Sequence, residues 1–253
     1  MWLALIVASS AVLVDLLDHW WTSAWARYSL VFVPLALFVA HRGAGVAARP
    51  ISAPVIGLGV LIEVLAVGGG FDRWGRIGLA VALVGMTGIH RVGGWSRRLC
   101  VLWIVPIPAF LHAQLDLTAF WAQIGAATSR LLGPEVRWAD SVLWIDSSGL
   151  PLFAPDGGLA VVALLAGIGW HASAYAGASL RAAALQALRW GALGIPIQAA
   201  AVVLAAVSLG WLPLESSALR TVLWNAPWIA GAALGLAMLP RAIQQADRRR
   251  EAR

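Results

Sequence analysis

Ionisable and hydroxyl side chains inside apolar stretches are the first candidates for chemistry. Glu63 lies in the middle of one such stretch, Asp15 lies near the end of another, and His171 and Ser173 lie in a third. Because charged groups in such positions are costly, they often mark proton relays or substrate sites. The functional interpretation makes Glu63 a carboxylate that handles a proton or a substrate, and it makes His171 a base. The structural interpretation, which we favour, has Glu63 protonated or hydrogen-bonded to a neighbouring helix and His171 in a hydrogen bond across helices.

The sequence contains no motif for a metal or a cofactor. An HExxH pair, a P-loop, a GxSxG elbow and a dinucleotide fingerprint are all missing. The single cysteine, Cys100, excludes an internal disulfide and a cysteine-rich metal site. We predict no cofactor and no metal, and we interpret Cys100 as a buried, inert thiol.

The elements that carry these residues are apolar and repeat along the whole chain. Hydrophobic residues make up 60% of the sequence and charged residues 12%, against roughly 45–50% apolar residues in an ordinary globular domain. The predicted membrane spans are 2–20, 28–41, 51–69, 76–90, 98–113, 158–177, 190–210 and 222–240. We predict an all-α integral membrane fold of about eight transmembrane helices, one domain over residues 1–253, with lipid as its surroundings.

The positive charge follows the loops between these spans. All eighteen basic residues are arginine, and the net charge is +6. With the N-terminus in the cytoplasm, twelve arginines lie inside and six outside, which favours a multipass protein with both termini cytoplasmic. Residues 241–253 form a basic, solvated and lipid-facing cytoplasmic tail on this topology. No basic face interleaved with aromatic residues is present, so we predict no nucleic-acid partner.

One segment between the fifth and sixth spans, residues 114–157, is acidic and is predicted to lie outside the cytoplasm. Apolar residues at helical spacing from Leu115 to Leu132 predict an interfacial helix that ends at Gly133 and Pro134. Alternation in residues 142–145 and a second short run at 150–153, with a turn at 147–149 between them, predict a small hairpin.

Several short motifs resemble the exosortase and archaeosortase family. They are Tyr28-Ser29 before a span that ends in His41-Arg42, the run from Arg97-Arg98 through Trp103 to Pro108, and Gly194-Ile-Pro-Ile197. The resemblance implies a multipass protein of the bacterial cytoplasmic membrane. Family members are cysteine transpeptidases that cut C-terminal sorting signals from exported proteins, and they often accompany exopolysaccharide loci. Exported proteins with such signals, or another envelope protein, are the partners that the resemblance implies.

The residues in the family's catalytic positions differ from those that the chemistry needs. A thiolate attacks the peptide carbonyl, a base activates the thiol and a cation stabilises the oxyanion. Leu165 stands at the position of the nucleophilic cysteine, Ala205 at that of the arginine and Asn225 at that of the histidine, whereas Gly167 keeps the motif's glycine. The resemblance therefore implies a non-catalytic homologue that binds or assists another envelope component.

Two further functions stay open at this point. The first is an active membrane peptidase or transpeptidase with a shifted site, built from Ser173, His171, Asn225 or Glu63. The second is a membrane transport or polysaccharide-export component, in which Asp15 and Glu63 couple ion movement to transport.

Overall fold

The fold is mainly helical, as predicted. A computed structural model describes residues 2–22, 27–43, 52–89, 94–105, 118–131, 136–139, 142–145, 148–151, 159–211 and 217–251. The helices are α1 (Trp2–Ala8), α2 (Ser10–Thr22), α3 (Phe32–Gly43), α4 (Ser52–Gly68), α5 (Asp72–Ile89), α6 (Trp95–Arg98), α7 (Thr118–Leu131), α8 (Leu159–Tyr175), α9 (Leu180–Trp211) and α10 (Ser217–Glu251). Two 3-10 segments, Arg27–Val31 and Leu99–Ile104, precede α3 and follow α6.

The chain divides into two compact units. Unit 1 consists of Met1–Ile107, Gly167–Ala187 and Leu239–Arg253. Unit 2 consists of Pro108–Ala166 and Leu188–Met238. Unit 1 therefore contains α1 to α6 and the C-terminal part of α8, whereas unit 2 contains α7 and the three short strands.

Close approach of α4 and α5 in unit 1 depends on glycine. A Cβ atom added at Gly59 would lie 2.6 Å from the carbonyl oxygen of Gly78, and one added at Gly78 would lie 2.7 Å from the carbonyl oxygen of Gly59. Side chains at either position would push the two backbones apart. Small residues of this kind let helices pack closely where water does not drive association.

A left-handed glycine ends α4. Gly70 has a φ of 71°, its N–H donates to the carbonyl of Val67, and the N–H of Phe71 donates to that of Ala66. This pair of hydrogen bonds is the Schellman arrangement, which uses glycine because a side chain disfavours positive φ.

The predicted hairpin in unit 2 is present, and the structure adds a third strand. Strands β1 (Val136–Ala139), β2 (Val142–Ile145) and β3 (Ser148–Pro151) form an antiparallel sheet in the order β1-β2-β3. The predicted start of the second strand of the hairpin was wrong: β3 begins at Ser148, not at Leu150. Ser148 and Gly149 pair with Ile145 and Trp144, so residues assigned to a turn extend the ladder.

The predicted interfacial helix corresponds to α7, which ends before Gly133 and Pro134. Both α7 and β1 belong to unit 2, and the two elements contact each other. The predicted features at residues 114–117, 140–141, 146–147 and 152–157 lie outside the described residues.

The fifth predicted span differs from a regular α-helix in its described part. Arg98 is the last residue of the short helix α6, and Leu99–Ile104 is a 3-10 segment. Val105 has extended dihedral angles, φ −82° and ψ 131°. The next residue is Pro106, and the residue before a proline is forced away from the helical region because the proline ring collides with its backbone.

Among the described helices, one is long and apolar enough to cross a membrane by itself, the stretch Leu180–Leu204 of α9. Shorter apolar helices occur at Ser29–His41, Ala53–Gly68, Trp74–Thr87, Leu159–Tyr175 and Ile229–Gln244. The number of about eight spans therefore stays a prediction.

The basic C-terminal segment continues the last helix. Helix α10 extends to Glu251, beyond the predicted end of its span at residue 240. Ile243 packs against a group of buried residues, and Asp247 accepts a 3.0 Å hydrogen bond from the hydroxyl of Tyr175. Ile243 and Asp247 therefore give this segment partners within unit 1, whereas Arg241 and Arg248 are exposed. The solvated, lipid-facing cytoplasmic tail stays a prediction.

Candidate functional site

Leu165, which the resemblance places at the position of the nucleophile, lies on α8. It is buried and 0% exposed. Ala205 and Asn225, which the resemblance places at the positions of the arginine and the histidine, lie on α9 and α10, and side chains in 205–228 are outside the described residues. An aliphatic side chain has neither a lone pair nor an acidic proton, so Leu165 cannot act as a nucleophile.

Packing requires a glycine at position 167. A Cβ atom there would lie 2.9 Å from the Trp103 ring and would also collide with the Phe32 ring. Only hydrogen fits at this point of α8. Two aromatic neighbours in unit 1 therefore account for a glycine at this position.

His171 is fixed in an aromatic environment. Its ring is 1% exposed and stacks on Phe32, with centroids 5.2 Å apart and an angle of 8° between the planes. Nδ1 donates to the carbonyl oxygen of Gly167 at 2.7 Å, because a carbonyl can only accept. The Cys100 backbone lies within interaction range of the ring, yet Nε2 makes no hydrogen bond of normal geometry to the described residues.

Ser173 is partly buried and lies two residues from His171 on the same helix. Positions two residues apart point to different sides of an α-helix. The helix therefore does not bring this serine and this imidazole together as a nucleophile and its base. A shifted peptidase site therefore cannot use Ser173 and His171 as its nucleophile and base.

Cys100 is buried in what we call the Cys100 cluster: Ala36, Val39, Cys100, Ala174 and Tyr175, with Val101, Ile104, Trp170 and Ile243 packed against them. The thiol is 0% exposed and donates to the carbonyl oxygen of Ser96 at 3.5 Å. Reactive cysteines are partly exposed and near a cation that stabilises the thiolate. Burial of this thiol agrees with an inert role.

Arg97 caps the C-terminus of α8. Its Nε donates to the carbonyl of Ala174 at 2.9 Å, and its NH2 group lies 3.4 Å from the carbonyl of Tyr175. Gly177, with a φ of 75°, and the N–H of Ala178 complete a Schellman ending. A cation at this end also opposes the negative end of the helix dipole.

Ser96 strengthens the same junction. Its hydroxyl donates to the carbonyl of Ala178 at 2.6 Å, and its own carbonyl accepts from the indole N–H of Trp170 at 2.8 Å. The basic pair that resembles the family's motif therefore includes one residue, Arg97, whose contacts hold the α6 turn against α8. This role is structural.

Asp15 and Arg76 form an ion pair between α2 and α5. The guanidinium Nε lies 2.7 Å from one carboxylate oxygen, and NH2 lies 3.1 Å from the other. The side chains are 33% and 11% exposed, respectively. Sequence reasoning singled out Asp15 but missed its partner, because the two residues are 61 positions apart in the sequence.

Glu63 is buried between α4 and the helices packed against it. It is 2% exposed, and neither carboxylate oxygen has a hydrogen-bond partner of normal geometry in the described part of the chain. The side chain of Ser9, between α1 and α2, lies close enough to interact with the carboxyl group, and its hydroxyl also lacks such a partner. Sequence reasoning singled out Glu63 but missed Ser9.

The four predicted polar residues therefore do not form one site. His171 stacks on Phe32, whereas Glu63 faces Ser9 and contacts Gly78, and Asp15 is bound to Arg76. Within the described residues, no group of three or more His, Cys, Asp or Glu side chains could hold a metal ion.

Comparison with known proteins yields no relative. No family model, no curated protein and no solved structure matches the chain.

Proposed function

We propose that this protein is a non-catalytic, exosortase-like membrane protein of the bacterial cytoplasmic membrane, which assists cell-envelope protein sorting or an exopolysaccharide-associated process. Its partners are an exported protein with a C-terminal sorting signal or another envelope protein. Buried Leu165 carries the non-catalytic part of the proposal, because it occupies the position from which the family's thiol attacks.

Membrane embedding is supported by an inverted distribution of polarity on α4. Leu58, Leu61 and Leu65 are 52%, 53% and 64% exposed, while Glu63 is 2% exposed. A soluble protein buries its leucines and leaves its carboxylates in water. The opposite arrangement is stable when the outward side chains meet lipid and the polar groups face neighbouring helices.

The same pattern extends to α1 and α2. Leu3, Val7 and Leu17 are 74%, 65% and 58% exposed, whereas Ser9 is 1% exposed. Exposed apolar surface on this scale marks a contact with lipid or protein rather than with water. Trp21 and Trp74, both exposed, are residue types that anchor helices at the membrane interface.

Two assays test the two parts of this proposal separately. Membrane embedding predicts that the protein stays with the membrane fraction after alkaline carbonate washing and is released by detergent. Recovery in the soluble fraction without detergent would contradict it.

The non-catalytic part is tested by co-expression with an exported substrate that carries a sorting tail. We expect no tail release that depends on this protein, in the wild type or in the variants H171F, S173A and C100A. Release by the wild type that is lost in one of these variants would show an active site and would overturn the non-catalytic assignment.

A transport or export function is the second candidate, because one observation favours it. Glu63 is a buried carboxyl group without a described ionic partner, which is a feature of coupling groups in transporters. The test compares cells that carry the E63Q variant with cells that carry the wild-type protein. If solute uptake and the cell-envelope phenotype are the same in both, the transport or export function is dismissed.

A further inference from the structure

The surroundings of Glu63 contain three buried oxygen atoms without hydrogen-bond partners of normal geometry. They are Oε1 and Oε2 of Glu63 and Oγ of Ser9. Both residues are almost fully buried, at 2% and 1% exposure. Buried polar groups are normally satisfied, so three such atoms at one place point to a ligand that restores a donor.

Packing holds the carboxyl group at this place. A Cβ atom at Gly78 would lie 2.8 Å from both Cγ and the backbone nitrogen of Glu63, so the stem of the glutamate occupies space that this glycine leaves free. The neighbouring residues on α4, Val64 and Leu65, are exposed. The Glu63 side chain therefore lies between α4 and α5 rather than on the outer surface of α4.

The charge of Glu63 has no described compensation. On the helices packed against α4, the ionisable residues are Asp15, Asp18 and His19 on α2 and Asp72, Arg73 and Arg76 on α5, whereas α1 has none. The guanidinium of Arg76 is bound by both oxygens of Asp15. Side chains of Asp72 and Arg73 lie outside the described residues. The interaction that reaches Glu63 comes from a neutral hydroxyl, that of Ser9.

A proton is the ligand that fits three oxygens best. A protonated carboxyl group donates its O–H to Oγ of Ser9, and the serine hydroxyl can donate in turn to the ionised carboxylate. Both protonation states thus have a partner. A metal cation would need more oxygen ligands than these three, since even hard cations such as Mg²⁺ take about six.

We propose that Glu63 and Ser9 form a proton-binding site inside unit 1, at which the Glu63 carboxyl group takes up and releases one proton. This inference rests on the membrane embedding in the proposed function, because lipid around α4 makes the uncompensated charge costly. The step is a simple acid dissociation: the O–H bond of the carboxyl group breaks, the electron pair stays on oxygen, and the proton leaves to water.

Dicyclohexylcarbodiimide tests the site, because this apolar reagent adds to protonated carboxyl groups in membranes and leaves a stable acylurea. The full-length protein in detergent or in liposomes is treated at several values between about pH 5 and about pH 9, and the modified peptides are identified by mass spectrometry. We expect modification at Glu63 that falls severalfold as the pH rises. Asp15, whose two carboxylate oxygens both accept hydrogen bonds from Arg76, is the internal control, and we expect it to stay unmodified.

Two variants sharpen the result. E63Q removes the modification altogether. S9A removes the donor that stabilises the ionised form, so modification of Glu63 persists to higher pH than in the wild type. The wild-type measurement does not depend on either variant folding, because it is made on the unaltered protein.

Three outcomes overturn the proposal: no modification of Glu63 at the lowest pH, modification that is the same at all pH values, or protection by sodium ions, which would assign the site to a metal cation. Failure of the proposed function gives a different result. In that case the protein is released by carbonate washing, whereas failure of the proton site alone leaves it in the membrane with Glu63 unmodified.

Discussion

The guanidinium of Arg97 donates to the carbonyl oxygen of Ala174, 77 residues later in the sequence, at 2.9 Å. The contact completes the C-terminus of α8, whose last carbonyls have no partner within the helix. A pair of arginines that resembles a family motif thus contributes a helix cap. The function of Arg97 follows from geometry that no local pattern around residue 97 reveals.

Replacing Arg97 with alanine should destabilise unit 1. The change leaves the carbonyl of Ala174 with one partner fewer, and a hydrogen bond from a charged donor contributes about 1.5–3 kcal/mol. Thermal unfolding in detergent measures the loss. Arg181, exposed in the first turn of α9, provides the matched control: R181A should unfold at about the wild-type temperature. Equal effects of the two variants would contradict the cap.

Replacing Gly78 with alanine should separate α4 from α5. The new methyl group would lie 2.7 Å from the carbonyl oxygen of Gly59, and overpacking of this kind costs about 1–3 kcal/mol. Gly57, on α4, has nothing within 4 Å of an added Cβ, so G57A should be neutral or stabilising by up to about 1 kcal/mol. Proteolysis and thermal unfolding compare the two. A G78A protein as stable as G57A would disprove the close approach.

The ion pair between Asp15 and Arg76 should show coupling in a double-mutant cycle. D15N leaves a partly buried guanidinium without its carboxylate, and R76Q does the reverse, so each single change should cost more than half of the double change. We expect a coupling energy of about 0.5–3 kcal/mol. Unfolding of the four proteins in the same detergent gives the number. Additive single effects would show that the pair contributes nothing.

Cys100 should resist thiol reagents in the folded protein. Its side chain is 0% exposed and packs within the Cys100 cluster, so a maleimide should react only after denaturation in dodecyl sulfate. Since the chain has one cysteine, the labelled fraction reports on this residue alone. S96C, which adds a second buried thiol one turn away, should behave in the same way, whereas the exposed position of A176C should label at once. Rapid labelling of native wild-type protein would overturn the inert interpretation.

Periodicity and composition predicted most of the helices, because the apolar stretches are long and uninterrupted. The bounds that were wrong share one cause. Helix α9 begins at Leu180 rather than near residue 190, and α10 continues to Glu251, because arginine, glutamine and glutamate are good helix formers that hydropathy alone excludes from a span. Strand β1 was not predicted because its four residues lie between two stronger patterns, the helix end at Gly133 and Pro134 and the alternation in residues 142–145.

The candidate site was predictable only in part. Glu63 stands out in the sequence because a carboxyl group in an apolar stretch is rare. Ser9 does not, since a lone serine near the start of an apolar helix is ordinary, and its meaning depends on a tertiary contact. The same holds for the stacking of His171 on Phe32, which are far apart in sequence.

The hydrogen bond from Tyr175 to Asp247 means that the last turns of α10 are not spare length. A reporter protein or purification tag joined close to Glu251 would follow directly on a helix that packs against the Cys100 cluster through Ile243. A bulky group at that junction would disturb the contacts that Ile243 and Asp247 make within unit 1. Fusions to this protein therefore need a long, flexible spacer, and deletions in the arginine-rich segment should leave Asp247 in place.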